Sequence, residues 1–136
     1  MASEPLETNG TSLGDTELEV MHVVWEIGPC KVSEVHAVIS RERDVAYTTI
    51  MTVMGNLSRK GYLSHTARGK SYVYRAERSA RDVRTGLVRG LVQRAFGDSK
   101  LSLALTLVRE EGLSPEELNE LKEAIRRLEN GEGRHE

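Results

Sequence analysis

What the chain lacks narrows its function first. It has a single cysteine, Cys30, so no disulfide closes within the chain and no cysteine cluster holds zinc; an isolated thiol fits a reducing compartment. No apolar run approaches the ~20 residues that a membrane-spanning helix needs. The first residues lack the apolar core of a signal peptide. The expectation is a cytoplasmic protein with no membrane partner. His22, His36, His65 and His135 show no ligand spacing, and the chain contains no glycine-rich phosphate loop and no nucleophile elbow. No cluster of catalytic residue types remains. The sequence therefore predicts neither an enzyme nor a bound metal or cofactor.

Charge of one sign is also missing from part of the chain. The formal net charge of −2 argues against nucleic acid as a partner, but the distribution counts for more than the sum. Residues 45–78 hold six basic side chains (Arg59, Lys60, Arg68, Lys70, Arg75 and Arg78) against the one acid Glu77. Residues 98–136 hold six basic against ten acidic. A basic middle suits phosphates, and an acidic tail suits solubility.

Along the chain, residues 1–12 are polar and aperiodic and predict a flexible arm. From Asp15 the pattern is helical, with Asp15 or Thr16 as the cap and Leu18, Met21, Val24, Trp25 and Gly28 on one face. Gly28-Pro29 ends this helix. A short extended piece, Cys30-Lys31-Val32, precedes a second helix capped by Ser33 and carrying Val35, Val38 and Ile39. A third helix is expected from about Tyr47 to Lys60, with Ile50, Val53, Met54 and Leu57 as its buried stripe. The period then drops to two, giving strands near 62–66 and 71–75 around the turn Ala67-Arg68-Gly69-Lys70. Three helices closed by a hairpin make a winged helix.

The remainder reads as three helices. Ser79, Ser99 and Ser114 are the caps, and Ser114-Pro115-Glu116-Glu117 is a capping box. The middle helix is apolar on nearly all sides, so something must cover it; a segment of this size calls for a second copy of the chain. The candidate dimerisation residues are Leu87, Leu91, Leu101, Leu105, Val108, Leu118, Leu121 and Ile125. The fold expected is mainly α with a small β-hairpin: a winged helix-turn-helix head over 13–77, a three-helix dimerisation domain over 78–130, and a flexible tail over 131–136.

The third helix is the informative element. At 100° per residue, Thr48, Thr52, Gly55, Asn56 and Arg59 face away from its buried stripe, with Thr49 at the flank. No acid occurs from Val45 to Ala76. Short hydroxylated side chains let a helix sink into the major groove, where threonine touches a thymine methyl or a base edge and asparagine reads adenine. Arg59, Lys60 and the helix-start amides suit phosphates. Arg68 and Lys70 flank Gly69 at the hairpin tip and suit the DNA backbone. With Tyr47, these form the candidate DNA-binding set. The competing reading is a winged-helix module that docks a protein through the same face, without operator binding. Steep salt dependence of DNA affinity separates the two.

The string Ala46-Tyr47-Thr48-Thr49-Ile50-Met51-Thr52-Val53-Met54, with Leu57, Lys60-Gly61 and Leu63, resembles the recognition-helix signature of penicillinase repressors. That family includes methicillin-resistance and copper-responsive repressors. Leu18-Glu19-Val20-Met21 and Trp25 are similar to its first helix, and Tyr72-Val73-Tyr74 to its last strand. The resemblance spans about residues 13–130. It implies a homodimer that represses resistance or stress-response genes from a palindromic operator in double-stranded DNA. It also implies a sensor-linked protease that, in one branch, cuts an Asn-Phe bond in the middle dimerisation helix. Thr106 and Leu107 occupy the matching positions here, and this departure argues against release by the same cleavage. The Cys-x-Cys motif of the copper-responsive branch is absent as well.

Overall fold

The computed structural model describes residues 13–132. The expected arm over 1–12 and residues 133–136 of the expected tail lie outside them. The chain divides into two compact units at Leu91/Val92.

The first unit contains helices α1 (Asp15–Ile27), α2 (Val32–Ser40) and α3 (Tyr47–Lys60), strands β1 (Leu63–Arg68) and β2 (Ser71–Ala76), and most of α4 (Ala80–Ala95). Its core is continuous. Val20, Met21, Val23 and Val24 of α1 meet Val35 and Ile39 of α2 and Ile50, Met54 and Leu57 of α3. Tyr62, Leu63 and Tyr74 close this cluster from the hairpin side, and Val83 reaches it from α4. Each such side chain contributes about 1.5–3 kcal/mol by leaving water. Val83 and the half-buried Leu87 both pack on this core. This packing is why most of α4 belongs to the first unit.

Two N-caps differ from the sequence expectation. Gly14, not Asp15 or Thr16, precedes α1, and its N–H donates to Glu17 Oε1 at 2.9 Å. Lys31, not Ser33, precedes α2, and its N–H donates to Glu34 Oε1 at 2.7 Å. In both helices a glutamate three residues in accepts from the N-cap residue's own N–H, and no side chain of the N-cap residue caps the amides that follow. The extended piece 30–32 reduces to one bridge. Cys30 N–H donates to Tyr74 O at 2.9 Å and Cys30 O accepts from Tyr74 N–H at 2.7 Å, which sets a one-residue third strand beside β2.

The hairpin is antiparallel, with Leu63 opposite Ala76 and Arg68 opposite Ser71. The strands run further than the alternation predicted, so the loop shrinks to Gly69-Lys70. Gly69 takes φ 62 while Lys70 keeps a negative φ; glycine in first place is the pattern of a II′ turn. Gly61, at φ 89, ends α3 and lets Tyr62 N–H donate to Leu57 O at 2.9 Å.

The second unit contains the end of α4, then α5 (Lys100–Thr106), a π-helical segment (Leu107–Glu111) and α6 (Pro115–Glu129). Ser79, Ser99 and Ser114 cap their helices as expected, each accepting a backbone N–H at 3.0 Å. The helix expected to reach about Glu111 does so, but changes from α to π geometry at Leu107. Gly131 N–H donates to Leu128 O and Glu132 N–H to Arg127 O, a Schellman closure that orders the first residues of the expected tail. Among the described residues of this unit, Val92 alone is buried. Among the described residues, no helix is long and apolar enough to cross a membrane.

Candidate nucleic-acid interface

α3 sits in the first unit with one side committed to the core. Ile50, Met54 and Leu57 have no exposed surface. The opposite side is open: Tyr47, Thr48, Thr49, Thr52 and Arg59 are exposed, and Asn56 is half-buried. Ala46 precedes the helix without a side-chain cap, and its first turn carries no acid. The positive end of the helix is thus uncompensated by its own residues.

The start of α3 is held from α2. His36 Nε2 lies 2.8 Å from Val45 O, and its ring meets the edge of Tyr47 at 5.6 Å. The far end is held from α1 and β1. Lys60 Nζ pairs with Glu17 Oε2 at 2.9 Å, and Ser58 Oγ lies 3.0 Å from His65 Nδ1. Arg43 pairs with Glu19 at 2.8 Å and reaches Thr16 Oγ1 at 3.3 Å, fixing the loop before α3 to α1. These ties set the pitch of α3 and, apart from His36 against Tyr47, do not use its exposed side.

The predicted residues divide by environment. Thr48, Thr49 and Thr52 are open hydroxyls along one exposed strip. Asn56 Oδ1 accepts from the Arg59 guanidinium, so these two present a joined amide and cation one turn apart. Lys60 behaves differently, because Glu17 answers its charge. Arg68 and Lys70 are exposed at the wing tip. Behind them the hairpin is stiffened by stacked rings, with His65 4.5 Å from Tyr72 and 5.2 Å from Tyr74. On the outer face Arg75 approaches Glu77 at 3.7 Å, and Ser64 Oγ donates to Glu77 Oε2 at 2.5 Å.

One exposed residue of α3 escaped the sequence reading. Met51 is 46% exposed. Its place on the helical wheel, 100° from Ile50, was a sufficient signal.

The arrangement offers donors and acceptors for base edges, three methyl-bearing hydroxyls and a basic ribbon, with no carboxylate on α3, β1 or β2. It suits a polyanion with readable edges. Comparison with known proteins agrees. The family described as penicillinase repressor matches residues 13–127. The chain belongs to the penicillinase repressor family.

Among curated relatives, the "Transcriptional regulator BlaI" of Mycobacterium tuberculosis is 32% identical over 125 residues, covering 90% of this chain and 89% of that protein. The "Penicillinase repressor" of Bacillus licheniformis is 29% identical over 118 residues, covering 87% and 92%. The "Methicillin resistance regulatory protein MecI" of Staphylococcus aureus is 23% identical over 113 residues, covering 83% and 92%. Among solved structures, the DNA-binding domain of the repressor BlaI is similar at 32% identity. It covers 53% of this chain and 88% of that domain, with a TM-score of 0.49.

In this member of the family Cys30 is a packing residue of the head. It is 2% exposed, and burial together with the nearby Glu34 carboxylate pushes its thiol up to about 11. A thiol so placed is neutral near pH 7 and a poor nucleophile. The residues proposed for dimerisation lie differently. Leu87 packs against the head core. Leu105, Val108 and Leu118 are half-buried, and Leu91, Leu101, Leu121 and Ile125 are exposed. Thr106 is half-buried and Leu107 exposed, at the junction where α5 turns π-helical.

Proposed function

We propose that this protein is a dimeric transcriptional repressor that binds a palindromic operator of resistance or stress-response genes. The observation that carries the reading is the acid-free, hydroxyl-rich side of α3, left bare in a chain that belongs to the penicillinase repressor family. Thr48, Thr49, Thr52 and Asn56 enter the major groove and read base edges. Tyr47 and Arg59 meet the groove wall, and Arg68 and Lys70 hold the adjacent backbone. Lys60 contributes to position more than to charge.

Dimerisation is supported by what the second unit leaves uncovered. α5, the π segment and α6 have no buried residue, yet they carry Leu101, Leu107, Leu121, Ile125 and Leu128 exposed. Apolar surface at this density calls for a cover, and a second copy provides one with matching chemistry. Two heads on one scaffold bind a dyad far more tightly than one, because the second contact is intramolecular. A signal that separates the copies releases DNA without an active site. Proteolysis of the helix that contains Thr106 and Leu107 is one such signal.

The test begins with the purified protein selecting duplexes from fragmented genomic DNA. A dyad motif is expected, with affinity falling steeply as salt rises. Thr52→Ala or Asn56→Ala should weaken the selected duplex by about 1–3 kcal/mol per lost base contact and leave non-specific duplexes unchanged. Failure to retain any DNA at low salt overturns the reading and favours a protein-docking module.

A further inference from the structure

We infer that Met51 and Gly55 form a thymine-reading notch on α3, so that each half-site contains a thymine recognised through its methyl group. The inference rests on the DNA-binding reading above and names one contact within it.

Met51 is 46% exposed, whereas Met54 on the same helix has no exposed surface. A single exposed apolar side chain is ordinary on a protein surface. Its surroundings here are not. Met51 borders the strip of Thr48 and Thr52, and the residue one turn further on is Gly55. Apart from its chain neighbours and the backbone of its own helix, nothing lies within 4 Å of the place where a Cβ on Gly55 would stand. The helix surface therefore has an exposed apolar side chain, Met51, one turn from a position with no side chain.

Glycine inside a helix lowers stability relative to alanine, and here nothing steric demands it. Its φ is not in the left-handed region, so backbone strain does not explain it either. What remains is close approach of another molecule to the backbone. Among base edges in the major groove, the C5-methyl of thymine is the one apolar group. A methyl group fits a gap left by an absent side chain, and the flexible thioether of methionine packs against it.

The experiment uses the full-length protein and the duplex it selects from a random library. Each thymine is replaced in turn by deoxyuridine, which keeps base pairing and removes only the methyl. Wild-type protein should show one position per half-site where this exchange weakens binding about fourfold, the equivalent of one buried methyl. Met51→Ala should bind the thymine and uracil duplexes equally at that position. Gly55→Ala should raise the melting temperature and still weaken the thymine duplex, which separates loss of contact from loss of fold. A uracil penalty that persists undiminished in Met51→Ala overturns the inference. So does a selected duplex that tolerates uracil everywhere. If no duplex is selected at all, the DNA-binding reading fails, and this inference with it.

Discussion

Lys60 and Lys70 carry the same charge and lie ten positions apart, yet under the proposed function they should affect DNA affinity differently. Lys60 Nζ stands 3.0 and 2.9 Å from the two carboxylate oxygens of Glu17, so its charge is answered within the protein. Lys70 is exposed at the wing tip, and the described residues give it no ion pair. Counterion release sets the slope of log affinity against log salt at about −0.9 per neutralised phosphate. In the proposed dimer, Lys70→Ala removes two contacts and should lower the slope by about 1.8. Between ~50 and ~200 mM salt, that change alone corresponds to about twelvefold in affinity. Arg68→Ala should behave in the same way. Lys60→Ala should change the slope by well under one, because what it removes is a pair and not a free cation. Its effect should be on stability, on the order of 1 kcal/mol, since the Glu17 side chain is 13% exposed and loses its partner. Fluorescence anisotropy titrations of a labelled operator duplex at several salt concentrations measure all three slopes. An equal loss of slope in Lys60→Ala and Lys70→Ala would refute the reasoning, since the Glu17 pair would then be shown to open on DNA. No change in Lys70→Ala would remove the wing tip from the interface.

Ile125→Asp places a charge on an exposed apolar position of α6; sedimentation should find monomers, and operator affinity should fall by about 10²–10⁴ as the intramolecular contact is lost. A dimer of unchanged stability would show that this face is not the interface. The indole N–H of Trp25 donates to Arg78 O at 2.9 Å, so Trp25→Phe leaves a partly buried carbonyl without its donor. The loss should be about 1 kcal/mol, read as a melting temperature lowered by roughly 4–8 °C. Cys30 should resist alkylation in the native protein near pH 8 and react once the chain is unfolded in denaturant. Its folded thiol titrates about 11 against an ordinary value of 9.0. A raised acid constant means that the fold favours the neutral thiol. That contribution is complete below pH 9 and is lost as pH rises towards 11, so denaturant midpoints should fall across this window in the wild type and less in Cys30→Ala.

The head was legible in the sequence because its signals are local. The stripe Ile50, Met54, Leu57 fixed the inward side of α3, Gly61 fixed its end, and Gly69 fixed the hairpin turn. The three serine caps were legible for the same reason, since a hydroxyl and an amide three residues on need nothing else. Misreadings arose where a local rule met a competitor. At Gly14 and Lys31 the N-cap N–H is held by the third-position glutamates Glu17 and Glu34, and the residues expected to cap already lie inside the helices. The contacts that sequence reasoning could not supply are distant ones. Glu17 and Lys60 are far apart in the chain, and only folding brings them to 2.9 Å. The reach of α4 into the head core through Val83 is of the same kind. Met51 belongs to neither class. Its exposure followed from the helical wheel, and it was hidden by the habit of assigning every apolar residue to a core.

Where apolar burial is concentrated also says how a switch can act. The head completes its core within the first unit, drawing on α4 only as far as Val83 and Leu87. Its α3 surface is therefore fully built in each single copy. The second unit buries Val92 and no other described residue, and α5 is seven residues long. A helix that short does not persist in water by itself, so in the proposed dimer its order and its pairing are one event. An inducing signal that acts on these helices has no need to distort α3. In the proposed dimer it would change how many heads are joined, and operator affinity would follow from that number. On this argument a head-only fragment keeps the sequence preference of the whole protein and loses most of its affinity. A fragment with altered preference would mean that the second unit shapes the reading surface itself.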